Sequence, residues 1–195
     1  MKPAAPKPEL ETIPFETPEK FRDWLDTYHK SSPGIWLKMY KKDSGIPSIN
    51  YKQALDEALC YGWIDGQSKK GDDLFYIQKF VPRGKRSMWS QRNKLHIARL
   101  TEEGKMMPAG IAQVEAAKAD GRWDAAYAPP SEMFVPEDFL AALNEFPEAE
   151  SFYNTLNRTN TYAIAFQLAT AKKAETRARR FEKLLNMMKE GKKLH

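Results

Sequence analysis

The chain has 195 residues, 42% of them hydrophobic and 29% charged, with a formal net charge of +5. That balance describes a folded chain long enough to bury a sizeable core and excludes an intrinsically disordered one. No apolar run reaches membrane-span length, and a single cysteine, Cys60, excludes an internal disulfide and a cysteine-rich zinc site.

The opening stretch MKPAAPKPELE lacks an apolar h-region, so no signal peptide is expected, and its prolines predict a loose arm over residues 1–12. With the lone cysteine this gives an expectation of a cytoplasmic location. Thr17 and Pro18 mark a helix start, followed by Phe21, Trp24, Leu25 and Tyr28 at one-face spacing. IWLKMYKK (35–42) alternates as a strand, with Trp36 and Lys38 on the face opposite Leu37 and Met39. Asn50 and Gln53 resemble a capping box opening a helix that turns Tyr51, Ala54, Leu55, Ala58 and Leu59 inward. Gly62 is the expected left-handed stop.

WIDGQSKK and LFYIQKFV then read as a hairpin around KGDD, which with the 35–42 strand predicts a small antiparallel sheet of three or more strands. Helices are predicted from about Ser90 to Gly104, and from Pro108 to Gly121 with Ile111 and Val114 buried. From residue 129 the pattern is helical. Pro136 opens a helix with Phe139, Leu140, Leu143 and Phe146 on one face, and Pro147 opens the next with Phe152 and Leu156. The last helix carries Phe181, Leu184, Leu185 and Met188 as its apolar stripe. The expected fold is α+β, a small antiparallel sheet packed with helices and followed by a helical C-terminal unit. The expected organisation is an arm over 1–12, an α+β core region over 13–128 and a helical domain over 129–195.

Phosphate-loop, dinucleotide and nucleophile-elbow motifs are all missing. His29, His96 and His195 lack metal-ligand spacing, so neither a metal nor a cofactor is expected. Cys60 lies one turn from a helix C-terminus, where the negative end of the dipole disfavours a thiolate; it reads as a small buried hydrophobe. Asp65 is different. Its strand position beside Trp63 leaves the carboxylate solvated or paired, and Arg83, Arg86 and Arg92 are the nearest partners in sequence. Ser87 or Ser90 can cap the helix that follows. Asp65, Gln67, Arg83, Arg86, Ser87, Trp89, Ser90 and Asn93 are therefore the candidate ligand or partner surface, for a small anion or a protein. The competing interpretation is a structural Asp–Arg pair, a helix cap and a core tryptophan.

Charge is segregated. Residues 69–99 hold nine Lys/Arg against two Asp, and residues 172–195 hold nine against three Glu. Lys172, Lys173, Arg177, Arg179 and Arg180 form a candidate basic surface. Such runs are usually solvated faces, but they can also hold an anionic partner. Phe75, Tyr76, Phe80 and Trp89 beside the first run suggest stacking of single-stranded nucleic acid, a reading not favoured because no RNP-like pattern occurs.

The runs ALCYGWIDG, FVPRGKRSMWSQRN, EGKMMPAG and DGRW, with a C-terminal AK-x-x-ETR-x-RR core at Ala171-Lys172, Glu175-Thr176-Arg177 and Arg179-Arg180, resemble the bacterial YdeI/OmpD-associated family, also called bacteriocin-protection proteins. The resemblance extends over roughly residues 10–193 and departs at Phe166-Gln167, where the family more often has a tryptophan–isoleucine pair. It implies a role in resistance to bacteriocins or cationic antimicrobial peptides and supplies no catalytic set. The expectation is a non-enzymatic binding or stress-resistance protein. The alternatives are a small-anion binder or enzyme built on Asp65 and Arg83, and nucleic-acid binding through segments 69–99 and 172–195.

Overall fold

A computed structural model describes residues 9–195, so most of the expected arm (residues 1–8) lies outside the described residues. The chain divides into two compact units, the first ending at Ala126 and the second running Tyr127–His195.

The first unit contains β1 (Thr12–Pro14), α1 (Pro18–Tyr28), β2 (Ile35–Tyr40), α2 (Tyr51–Cys60), β3 (Trp63–Lys70), β4 (Phe75–Pro82), α3 (Gln91–Glu102) and α4 (Pro108–Ala119). Local chemistry sets the ends of these elements. Thr17 Oγ1 accepts from the Lys20 N–H, with Pro18 in the first helical turn. Asn50 and Gln53 exchange both capping-box hydrogen bonds, at 3.1 and 3.0 Å. In the hairpin turn Asp72 Oδ1 accepts from the N–H groups of Leu74 and Phe75.

The strands form one sheet in the order β1-β2-β4-β3. The expected antiparallel sheet is corrected to a mixed one, because β1 runs parallel to β2. Three residues ending in Pro14 are too short to show periodicity, and a proline is tolerated on an edge strand. Alternation along β2 buries Ile35, Leu37 and Met39 on the helix-covered face with Phe80 of β4 and Trp63 of β3. Each such large side chain, fully buried, stabilises the fold by about 1.5–3 kcal/mol.

A bulge between Asp65 and Ser68 interrupts the β3–β4 ladder. The buried Gln78 side chain donates to the carbonyls of Gly66 and Gln67 there, satisfying the interrupted backbone. The extra residue reverses the face assignment beyond it: Asp65 pairs with inward-facing Phe80, whereas Lys69 pairs with outward-facing Ile77.

On α4 the buried positions are Gly110, Val114 and Ala117, and the expected burial of Ile111 is corrected: it is 48% exposed. Gly110, not a large side chain, makes the close approach to α2, so the stripe i, i+4, i+7 starts there and Ile111 lies about 100° around the helix.

The second unit contains α5 (Glu137–Asn144), α6 (Pro147–Asn154), α7 (Arg158–Ala169) and α8 (Ala174–Lys189). Phe139, Leu143, Ala149, Ile164, Leu168, Leu184 and Met188 form its core. Phe146 is not on the α5 face as expected, since α5 ends at Asn144 and Phe146 caps α6, exposed beneath the Lys189 ammonium. Phe166 sits edge-on to Tyr127 with ring centroids 5.1 Å apart, so the departure at Phe166-Gln167 is absorbed by packing. Among the described residues no helix is long and apolar enough to cross a membrane.

Candidate functional site

The motif-bearing segments of the first unit hold one another. Beyond Cys60, Gly62 takes the left-handed conformation at φ +73°, ending α2 and releasing the chain into β3. The Cys60 carbonyl accepts from the Met107 N–H at 3.1 Å. A Cβ on Gly110 would stand 2.2 Å from that same carbonyl oxygen, and one on Gly62 would stand 2.9 Å from the Ala109 carbonyl. ALCYGWIDG and MMPAG are therefore two sides of one α2–α4 contact.

Cys60 is fully buried, with an Arg22 Nη2 at 3.8 Å from its sulfur. Burial pushes its thiol up to about 11, so it stays protonated at neutral pH and is no nucleophile. Around it Arg22 Nε donates to Glu57 at 2.7 Å and the Tyr61 hydroxyl donates to Asp26 at 2.5 Å. Burial pushes the Tyr61 phenol upward as well.

The candidate residues around Asp65 have definite places. Asp65 is half-buried and accepts from the Tyr51 hydroxyl at 2.8 Å, a partner on α2 and not one of the arginines considered from sequence. Arg83 is buried; its guanidinium lies 3.6 Å from the centroid of the Trp89 ring, and its Nη1 donates to the Met88 carbonyl. Trp89 meets Trp123 edge to face at 4.9 Å. Buried Arg122 shares its Nε N–H between the two carboxylate oxygens of Asp120 and donates from Nη1 to the Ser87 carbonyl. Ser87 Oγ accepts from the Gly84 N–H, and Ser90 caps α3 by accepting from the Asn93 N–H. Arg86 and Gln67 are exposed. PRGKRSMWSQRN and DGRW thus form a second internal clamp, a stack running Arg83, Trp89, Trp123. The Trp89 indole N–H is buried without an acceptor among the described residues.

In the second unit Arg177 pairs with Asp138, which it holds below the ordinary carboxylate range, and Arg180 donates to the Gln167 carbonyl at the end of α7. Lys172, Lys173 and Arg179 remain exposed. The candidate basic surface is thinner than its sequence, because two of its five cations are structural.

His96 Nδ1 lies 2.6 Å from Asp56, and His29 Nδ1 lies 2.7 Å from the Leu25 carbonyl. Among the described residues no group of three His, Cys, Asp or Glu side chains is placed to hold a metal ion.

What these clamps leave open is the outer face of the sheet. By register it carries Trp36, Lys38 and Tyr40 of β2, Phe75, Ile77, Lys79 and Val81 of β4, and Ile64 and Lys69 of β3, with no Asp or Glu among them. Lys69 and Lys79 place their ammonium groups 4.3 and 5.7 Å from the Trp36 ring centroid. Lys38 lies 3.9 Å from the Phe75 centroid and 4.9 Å from that of Tyr40. Three cations thus rest on three rings. An exposed cation–π contact is worth only about 0.5–1 kcal/mol, so a stronger partner can displace it. Sequence reasoning placed Trp36 and Lys38 on the face opposite Leu37 and Met39 but did not assemble this platform. Of the aromatics it singled out, Phe75 belongs to it, whereas Tyr76 and Phe80 face the core and Trp89 is in the arginine stack.

Residues 13–113 match the family described as Domain of unknown function (DUF8412), and residues 132–191 match the family described as Bacteriocin-protection, YdeI or OmpD-Associated. The expected extent of the latter resemblance, residues 10–193, is thereby narrowed to the C-terminal part. No curated protein and no solved structure matches the chain. The chain belongs to the DUF8412 family through more than half of its length, and its C-terminal part, residues 132–191, is similar to the bacteriocin-protection, YdeI or OmpD-associated family.

Proposed function

We propose that the protein is a non-enzymatic binding protein, contributing to bacteriocin or antimicrobial-peptide protection, whose partner is anionic and occupies the outer face of the sheet. The observation that carries this reading is the set of three lysines resting on three aromatic rings, on a face whose strand positions include no carboxylate. Ammonium groups held by ring faces are held weakly and stay available to a negative partner. A net charge of +5 argues against direct capture of cationic peptides, so the protective role is indirect, through the bound partner. A cytoplasmic location belongs to this proposal.

The test is survival of bacteria producing the chain under challenge with a pore-forming bacteriocin. Protection by the native chain, lost in a Trp36→Ala, Lys69→Ala, Lys79→Ala variant that accumulates normally, supports the reading. Equal protection by both overturns the role assigned to the sheet face.

A second reading, a small-anion site built on Asp65 and Arg83, draws support only from their places near the same end of the β3–β4 pairing, Asp65 opposite Phe80 and the Arg83 N–H bonded to the Gly62 carbonyl.

A further inference from the structure

Resting on the sheet-face reading, we infer that the anionic partner is a single-stranded nucleic acid. The requirements of that ligand are flat faces for unpaired bases and cations for the phosphates between them. Along β2 the outward side chains alternate ring, cation, ring as Trp36, Lys38 and Tyr40. Across the sheet, Lys79 pairs with Trp36, a cation beside a ring, and Phe75 pairs with Tyr40, two rings side by side that widen the stacking surface. Lys69 enters the same group only because of the bulge at Gly66 and Gln67, which turns it outward to stand over Trp36.

Each ammonium group already sits over a ring, close enough to bind a phosphate linked to a base stacked on that ring. On stacking, the lysine swings from the ring face to the backbone and exchanges a weak contact for a charge-assisted one. A smooth polyanion uses only the lysines. A duplex hides its base faces and leaves the rings idle. Single strands use both halves of the pattern, and nothing in it reads a base edge, so the binding is tolerant of sequence.

The experiment is a fluorescence-anisotropy titration of the full chain with labelled oligothymidylate, with duplex DNA and inorganic polyphosphate as competitors. Three lysines predict a slope of log affinity on log salt of about −2, a loss of about 20-fold between about 50 and about 200 mM salt. Trp36→Ala weakens binding about tenfold, Trp36→Phe restores most of it, and Lys69→Ala reduces the slope by about 0.7. Should Trp36→Ala fail to fold, the Lys69→Ala, Lys79→Ala pair carries the test through the slope. Absence of oligothymidylate binding at low salt overturns the inference. So does polyphosphate competing as well as the oligonucleotide with no effect of Trp36→Ala. In either case the protection assay still decides the sheet-face reading, so the two fail separately.

Discussion

Gly110 of α4 lies against the carbonyl of Cys60 so closely that a Cβ there would stand 2.2 Å from the oxygen. Two sequence motifs fifty residues apart are one structural joint, which predicts sensitivity to the smallest possible enlargement. Gly110→Ala meets backbone, which cannot rotate away, and should destabilise by about 1–3 kcal/mol or more. Gly62→Ala adds about 1–2 kcal/mol of left-handed strain to its own contact with Ala109. In urea titrations both variants should show a lower midpoint. Gly45→Ala shares the positive φ but meets nothing within 4 Å, and should cost only the strain.

The Cys60 thiol supplies a pH signature. Its folded value is about 11 against an ordinary value of 9.0, because burial opposes the thiolate. The folded state therefore holds its proton more tightly than the unfolded state does. The associated stability is fully present below pH 9.0 and is lost as pH rises towards about 11, a change on the order of 2 kcal/mol. Chemical denaturation across that window should show the decline, reduced in Cys60→Ala. A thiol reagent at pH 8 should label the native protein only as fast as the protein opens.

The arginine stack predicts structural and not ligand-dependent behaviour. Trp89→Ala empties a buried site between Arg83 and Trp123 and should cost about 3–5 kcal/mol. Arg83→Lys should also lower Tm, since an ammonium cannot reproduce a planar group on the Trp89 ring. Asp65→Ala, which removes only the acceptor for Tyr51, should cost less. If Asp65→Ala and Arg83→Ala leave Tm unchanged while abolishing a ligand-induced rise, the pair is a binding site after all.

Most of the scaffold was legible in the sequence because its signals are local. Thr17, Asn50 and Ser90 cap through their own side chains, Gly62 stops α2, and alternation sorts β2 into two faces. What escaped was non-local. The β1 edge strand is too short to have a period, and the burial of α4 is set by a glycine, which has no hydrophobic signal. The bulge mattered most. Gly66 hinted at it, but the side chain that stabilises it, Gln78, comes from the neighbouring strand. Without it, period-two reading puts Lys69 on the same face as Asp65, away from Trp36, and the platform does not assemble on paper. Asp65 and Arg83 drew attention because they are chemically conspicuous, although their contacts to Tyr51 and Trp89 are those of a scaffold.

The central claim is that the outer sheet face binds and the residue 83–93 loop supports. Backbone amide NMR of the full chain titrated with oligothymidylate tests it residue by residue. The account predicts shifts that saturate together at Trp36, Lys38, Lys69, Phe75 and Lys79, and with them the Trp36 indole N–H, with the 83–93 loop little changed. Shifts confined to Arg83, Ser87 and Ser90, or to α8, with the sheet face silent, would contradict it.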